Sequence, residues 1–348
     1  MLVWACVGVV MIMKLWVVVG AAVHVRSSDP VLEAQVSQPH LDTSNFLVPL
    51  GNPDIMETDI PGAPLTPDDF LEGNVMEHKD WDPDTKADPI ELAKLFQGDI
   101  SLMTLDEYYE LVQPSETARF RNAMMNLDER WVNGVIPYVI SGTYEKKERA
   151  IIAAAMRNYH DQTCIRFVPR TGERDYIHII KANGCSSSVG RRGGAQAVSL
   201  GLGCIYVGIV MHEFMHAAGF WHEQSREDRD DYITINDYNI QTGMEYNFQK
   251  YRWGRIQDLG VNYDLGSIMH YGAYAFAKDR TKPTIIPREL GAEIGQRRAL
   301  SKLLLPTAAN MDQCLDEHEH CQHWASINEC RVNPQYMLSM CRKACGMC

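Results

Sequence analysis

MHEFMHAAGFWHEQSREDRDD, residues 211–231, is the stretch that decides how this chain is interpreted. His212 and His216 lie four residues apart, so on a helix both imidazoles leave the same face, one turn apart. Gly219 lets the chain turn sharply out of that helix at low steric cost, and His222 then returns as a third nitrogen ligand. Three protein ligands plus a water make an open, catalytic zinc site, whereas a structural site is closed by four protein ligands. The pattern therefore predicts one Zn²⁺ per chain.

Glu213 follows the first histidine and can project beside the metal without being a ligand. A zinc ion lowers the pKa of its bound water to about 7. We expect Glu213 to take the water proton as general base, so that hydroxide attacks a peptide carbonyl, and then to hand the proton to the leaving amine. The alternative, ordinary core or surface histidines on a helix, is a poor explanation, because a chance match to all five positions has a probability on the order of 10⁻⁴.

Strand and helix patterns come before this stretch. VIPYVI (Val135–Ile140) is rich in β-branched residues and suits a strand. Residues 144–162 carry apolar side chains at helical spacing, which predicts an amphipathic helix lying on a sheet. Three further strands are predicted for IRFVPR, YIHIIKA and AQAVSL, and a mostly apolar helix is predicted for residues 204–218. Regular pattern is sparse after Gly219.

The acidic residues are concentrated in the N-terminal third. The 348 residues suggest about two domains, and 45% apolar with 22% charged residues excludes a wholly disordered chain. The net charge is −12, but residues 24–121 hold 20 Asp and Glu against 6 Lys and Arg, and residues 122–348 are nearly neutral. That balance gives no electrostatic case for a nucleic-acid partner. Residues 24 to about 118 are also rich in Pro, Asp and Asn, which predicts extended or disordered chain.

Both ends of the chain point to an oxidising, extracellular compartment. From Met13 onward a basic start, an apolar run and small residues have the layout of a secretory signal, which we place at residues 1–23. A membrane helix is the alternative, but Lys14 interrupts the apolar stretch near its middle. Six cysteines fall in the last 35 residues and predict three disulfides. We therefore expect a secreted protein with no membrane span after removal of the signal.

HEFMHAAGFWHE resembles the zinc signature of the metzincins, and of the astacin family in particular. SIMHY (Ser267–Tyr271) resembles the methionine turn that metzincins carry downstream. The resemblance implies an α+β fold in residues 122–305, with a twisted mixed sheet and helices above a zinc cleft and an irregular lower half. It implies a zinc endopeptidase that acts on extracellular proteins or peptides. It also implies that Met269 packs beneath the zinc histidines, and that Tyr271 ligates zinc at rest and swings away to donate to the oxyanion.

LFQGD (Leu95–Asp99) resembles the FxGD motif of astacin propeptides. The resemblance implies that residues 24–121 are a propeptide, in which Asp99 caps the zinc and displaces the catalytic water. An activating protease would cut after Arg121, and the new α-amine of Asn122 would be buried near Glu223. The alternatives are an ordinary Gly-Asp turn for Asp99 and a surface charge for Glu223.

The resemblances also imply a disulfide pattern. The astacin family's short-loop disulfide matches Cys185 and Cys204, whereas the helix and cysteine that would pair with Cys164 are missing from this chain. Spacing alone leaves 15 pairings open for the six C-terminal cysteines. Residues 306–348 form a linker and a segment, 314–348, that resembles the ShK toxin-like (ShKT) domain, whose pairing implies the bonds Cys314–Cys348, Cys321–Cys341 and Cys330–Cys345. The channel-blocking lysine of the toxins is absent, which favours a targeting or substrate-docking role.

Two functions remain open at this point. The first is a zymogen-activated, monomeric endopeptidase, in which Arg297 binds an acidic residue just after the scissile bond; a solvated loop arginine is the alternative interpretation of Arg297. The second is a non-enzymatic secreted binding protein, in which the ShKT module acts and the catalytic domain is inactive or incompletely folded. The unpaired Cys164 is the best support for the second function.

Overall fold

The computed structural model describes residues 58–81, 88–102, 123–124, 129–250, 256–257, 262–301, 316, 318–333, 337, 341 and 343–345. The predicted signal peptide, the predicted cut after Arg121 and the new terminus at Asn122 lie outside these residues. So do Cys314 and Cys348. No helix in the described part of the chain is both long enough and apolar enough to span a membrane.

A mixed sheet forms the upper half of the catalytic domain. The strands of the described residues are β1 (Ala123–Met124), β2 (Val135–Ile140), β3 (Arg166–Pro169), β4 (Tyr176–Ile180), β5 (Cys185–Ser187), β6 (Ala195–Leu200), β7 (Ile233–Ile235), β8 (Ile256–Gln257) and β9 (Ile285–Pro287). The sheet has five strands in the order β3-β2-β4-β6-β5. Strands β2, β3, β4 and β6 run parallel, and β5 pairs with β6 in the antiparallel direction. The predicted strands in VIPYVI, IRFVPR, YIHIIKA and AQAVSL are confirmed.

Two long helices pack on this sheet. Helix α2 (Lys146–Gln162) is the predicted amphipathic helix, and helix α3 (Val207–Ala218) has ten of its twelve residues buried. Tyr159 of α2 donates a hydrogen bond to the carbonyl of Met211 at 2.6 Å, which joins the two helices. Helix α3 begins three residues later than expected, because Cys204 is held by a disulfide to Cys185 in the turn that precedes it.

The N-terminus of α3 lies directly against a distant loop. A Cβ at Gly208 would lie 1.7 Å from the carbonyl oxygen of Arg297, a distance that no side chain permits. The helix ends at Gly219, whose φ of +114° is left-handed, a conformation that glycine adopts without steric cost. Between Gly219 and Ser301 the described residues form 3₁₀ turns and the short strands β7, β8 and β9, so the lower half is irregular.

The expectation of extended or disordered chain for residues 24–118 is wrong for two described parts of that segment. Helix α1 (Pro67–Val75) forms there because Thr66 and Asp69 make a capping box and Pro67 stands at the first helical position. Residues Pro89–Leu92 form a 3₁₀ turn capped by Asp88, whose side chain accepts a hydrogen bond from Ile90. A composition rich in Pro and Asp suits helix starts as well as disorder.

The C-terminal region contains two short helices, α4 (Cys321–Ser326) and α5 (Glu329–Val332). Disulfides Cys321–Cys341 and Cys330–Cys345 join its described residues, in agreement with the pairing that the ShKT resemblance implies. Cys164 is free and exposed.

Candidate metal centre

Three histidine side chains converge below α3. His212 and His216 leave one face of the helix, and the left-handed Gly219 turns the chain so that His222 comes back towards them. The Nε2 atom of His222 lies 3.3 Å from the Nε2 atoms of both His212 and His216, and all three rings are fully buried. With an oxygen of Asp99 they form the one group of potential metal ligands found in the described residues, with all ligand atoms within 4.8 Å of one another.

Carbonyl oxygens fix the orientation of each imidazole. Each histidine Nδ1 donates a 2.8 Å hydrogen bond: His212 to the carbonyl of Ile268, His216 to that of Phe220, and His222 to the side-chain oxygen of Gln97. Since these oxygens can only accept, the proton lies on Nδ1 and the Nε2 lone pairs point at one another. This is the outer-shell arrangement that orients metal-bound histidines.

Burial keeps His212 and His222 neutral. It lowers the pKa of His212 to about 3, with a further contribution from the charge of Arg297, and it lowers the pKa of His222 to about 4. Neutral imidazole is the form that binds a metal. The donor set of three imidazole nitrogens and a carboxylate oxygen fits tetrahedral Zn²⁺.

Asp99 of the N-terminal segment faces all three histidines. Its Oδ2 lies 2.9 Å from His212 Nε2, and its Oδ1 lies 3.3 Å from His222 Nε2 and 3.5 Å from His216 Nε2. Oδ1 has no hydrogen-bond donor among the described residues, so a cation would complete its environment.

Glu213 is fully buried beside this group on α3. Neither carboxylate oxygen has a hydrogen-bond partner among the residues that the structure describes. Burial and the charge of Asp99 raise the pKa of Glu213 well above its usual value. Such an environment increases the affinity of the carboxylate for a proton, as a general base requires.

The turn at Ser267–Tyr271 lies against the histidines. Ile268 accepts the His212 hydrogen bond, and Met269 is buried, with its carbonyl accepting from the amide of Glu223 at 3.0 Å. The Tyr271 ring lies 4.8 Å from the His222 ring, centroid to centroid. Its hydroxyl donates to the backbone carbonyl of Gln97.

Gln97 is a site residue that sequence reasoning missed. Its side chain accepts from His222 and donates to Ser225 Oγ at 2.7 Å, and its carbonyl accepts from Tyr271. Its φ of +50° turns the chain so that side chain and carbonyl reach these partners together. The sequence signal that could have identified Gln97 as a site residue is its position inside LFQGD, two residues before Asp99.

Arg297 is buried, which excludes the solvated alternative. Its guanidinium donates to the carbonyls of Ile268 and His270 at 3.0 and 2.9 Å, and to Asp88 Oδ2 at 3.0 Å. Asp88, an acidic residue of the N-terminal segment, is therefore the partner of the Arg297 guanidinium. From the sequence alone, that place is predicted for an acidic residue of the substrate.

Glu223 is buried as well. Its Oε1 accepts from the Arg226 guanidinium at 3.0 Å and from the Asp264 amide at 2.9 Å. The surface-charge alternative is therefore wrong, and the α-amine of Asn122 stays a predicted partner outside the described residues.

A mixed sheet above a buried three-histidine centre defines a zinc-peptidase type of domain. Residues 123–311 match the family model of the astacin peptidases, and residues 313–348 match the model described as ShK domain-like. This chain belongs to the astacin family.

Named relatives give the extent of the similarity. The chain is 46% identical to zinc metalloproteinase nas-15 of Caenorhabditis elegans over 69% of this chain and 44% of that protein, and 50% identical to nas-13 of the same organism over 52% and 40%. A solved hatching enzyme zinc-protease of Oryzias latipes, high choriolytic enzyme 1, is 44% identical, with a TM-score of 0.49 over 52% of this chain and 94% of that one. The chain spans less than half the length of those two curated relatives.

We expect the free energy of unfolding of the uncut chain to depend on pH through Glu91, a residue of the N-terminal segment. Its carboxylate accepts from the Phe276 amide, and burial, together with the charge of Asp88, raises its pKa from 4.5 to about 7. The protonated carboxyl therefore stabilises the folded chain below about pH 4.5, and this stabilisation is lost as the pH rises through 7. Glu91→Gln is expected to raise the free energy of unfolding at pH 8 by roughly 1–3 kcal/mol and to flatten its decline between these pH values.

Urea unfolding of the uncut chain at several pH values measures this effect. Glu77→Gln is the matched control, since Glu77 is an exposed glutamate of the same segment. An unchanged pH slope in Glu91→Gln would contradict the prediction.

Proposed function

We propose that this chain is the precursor of a secreted zinc endopeptidase that hydrolyses peptide bonds of extracellular proteins or peptides. The convergence of three oriented imidazole nitrogens and one carboxylate within 4.8 Å carries the proposal. Membership of a peptidase family supports it. The two disulfides of the C-terminal region and Cys185–Cys204 favour an oxidising compartment.

The mechanism assigns a task to each residue of the centre. His212, His216 and His222 would hold one Zn²⁺, which supplies a Lewis acid and an acidified water. Glu213 accepts the proton of the attacking water and delivers it to the leaving amine. The Tyr271 hydroxyl, once free of Gln97, donates a hydrogen bond to the developing oxyanion. Met269 supports the histidines from the turn below.

The N-terminal segment keeps this machinery latent. Asp99, whose Oδ2 lies 2.9 Å from His212 Nε2, would occupy the position of the catalytic water on a bound zinc ion, and Gln97 holds the hydroxyl of Tyr271. We infer that residues 24–121 are a propeptide that a separate protease removes after Arg121. The new Asn122 amine would then pair with Glu223, where it would compete with Arg226 for the carboxylate.

Latency is tested by comparing cut and uncut chains. The chain cut after Arg121 and freed of residues 24–121 is expected to hydrolyse a fluorogenic peptide, whereas the uncut chain is not. Asp99→Asn is expected to raise the activity of the uncut chain by about 10- to 100-fold, since charge-assisted contacts contribute roughly 1.5–3 kcal/mol. Asp68→Asn, an exposed position of the same segment, is the control. Equal latency of Asp99→Asn and the control would refute the role of Asp99.

The binding-protein alternative keeps one observation in its favour, the free and exposed Cys164. A secreted product without zinc would support it. For the ShKT module we propose a targeting or substrate-docking role, and for the whole chain a monomer.

A further inference from the structure

We propose that residues 58–75 are a second docking element, which keeps the propeptide bound to the catalytic domain after the chain is cut. The proposal rests on the proposed function, because it takes residues 24–121 to be a propeptide. The partner is the excised segment of this same chain, and the surface that holds it is formed by β2, β4 and α2. Three groups of contacts carry the inference.

The first group pairs the backbone of residues 60–62 with that of residues 140–142, at the C-terminal end of β2. The Gly62 amide donates to the carbonyl of Ile140, and the Gly142 amide donates to the carbonyl of Ile60, both at 2.8 Å. A Cβ at Gly62 would lie 2.8 Å from the Gly142 Cα, so the two backbones cross at a distance that only glycine allows. The main chain of residues 60–62 is therefore closely fitted to the C-terminal end of β2.

The second group is a pair of buried hydrogen bonds made by Asp59, next to residues 60–62. Asp59 Oδ2 lies 2.9 Å from His178 Nε2 on β4, and Asp59 Oδ1 accepts from the hydroxyl of Ser141. The side chains of Asp59 and His178 are 8% and 6% exposed. Hydrogen bonds to a charged carboxylate contribute more than those between neutral groups, so these contacts favour the bound state of the segment.

The third group joins α1 to α2. Asp69 Oδ2 accepts from the Arg149 guanidinium at 2.9 Å, and the same guanidinium donates to the carbonyls of Ala63 and Pro64 at 3.0 and 2.8 Å. A Cβ at Gly73 would lie 2.4 Å from the carbonyl oxygen of Ala150. The two helices thus meet with no room for a larger residue.

These contacts are separate from the metal centre. They lie on β2, β4 and α2, whereas the histidines lie on α3 and in the loop that follows it. Two contact regions on one chain bind far more tightly than either alone, and the loss of one leaves the other in place. A cut between residues 102 and 122 severs the chain without touching either region. We therefore expect cleavage to yield a non-covalent complex, with active enzyme appearing later than the cut.

The experiment measures whether the cut propeptide stays bound to the catalytic domain, so it needs no peptidase activity. A site for a specific protease is placed after Arg121 in a full-length Glu213→Ala chain, and the cut protein is analysed by size-exclusion chromatography. We expect the propeptide to co-elute with the catalytic domain. Asp99→Asn alone is expected to leave co-elution intact, because residues 58–75 still hold the segment. Adding Asp59→Asn and Asp69→Asn is expected to separate the pieces, with dissociation about tenfold or more faster.

The matched control adds Asp68→Asn and Asp80→Asn, which remove the same charge from exposed positions of the segment. Arg149→Gln tests the Asp69–Arg149 contact by changing the partner on the catalytic domain. Thermal unfolding of each uncut chain checks that it folds. Separation of the pieces in Asp99→Asn alone, or co-elution that survives all three substitutions, would overturn the proposal. Neither result depends on whether the catalytic domain cleaves peptides.

Discussion

Glu213→Gln is expected to lower kcat of the trimmed catalytic domain by about 10²–10⁴-fold, the usual contribution of a general base. Glutamine keeps the size of the side chain but cannot accept the proton of the attacking water. The Glu213 carboxylate has no hydrogen-bond partner among the described residues, so its replacement removes no structural bond. Zinc content should be unchanged, because Glu213 is not in the ligand group.

Steady-state kinetics on a fluorogenic peptide and metal analysis of the same sample measure the two quantities. Glu289→Gln, at an exposed position, is the control for the change of charge. Full activity in Glu213→Gln would remove the general base from the mechanism. Loss of zinc would show instead that the residue acts through the metal site.

Removal of the metal from the trimmed domain is expected to abolish hydrolysis, and one equivalent of Zn²⁺ should restore it. In the trimmed domain the Nδ1 protons of His212 and His216 are still donated to the carbonyls of Ile268 and Phe220, so their Nε2 lone pairs remain free for the metal, whereas Gln97, the partner of His222, leaves with the propeptide. A bound cation therefore also stabilises the fold, by about 4 kcal/mol at a free concentration 1,000 times Kd. The melting temperature should fall when the metal is removed.

A titration of activity against bound zinc gives the stoichiometry, with the break expected at one ion per chain. The uncut chain should release zinc more slowly than the trimmed domain, because Asp99 would add a fourth ligand. Persistent hydrolysis in a metal-free sample would be incompatible with the proposed chemistry.

The metal centre could be predicted from sequence because it is local. His212, His216 and Glu213 lie within two turns of one helix, and Gly219 places His222 a few residues later, so spacing alone brings them together. Strands β2, β3, β4 and β6 and helices α2 and α3 follow from the local apolar pattern in the same way. The start of α3 differs from the prediction, because the Cys185–Cys204 bond holds the preceding turn.

The contacts of the N-terminal segment could not be predicted in this way. Asp88 and Arg297 are 209 residues apart, and Gln97 and Tyr271 are 174 apart, so no local pattern links them. Helix α1 was missed because its nine residues have an acidic, proline-led composition, although Thr66, Pro67 and Asp69 are local signals for a helix start; Arg149 and the close approach of α2 add the tertiary contacts. Tertiary contacts of this kind override composition.

The steric fit at Gly208 has a consequence for protein engineering. The Arg297 carbonyl packs against Gly208 at the start of α3. The backbone at Arg297 therefore depends on the absence of a side chain at position 208, as well as on the hydrogen bonds of the Arg297 guanidinium. Substitutions at Arg297 should therefore be made without changing position 208. A methyl group there would clash with the Arg297 carbonyl and shift the backbone around Arg297, together with any side chain placed at that position.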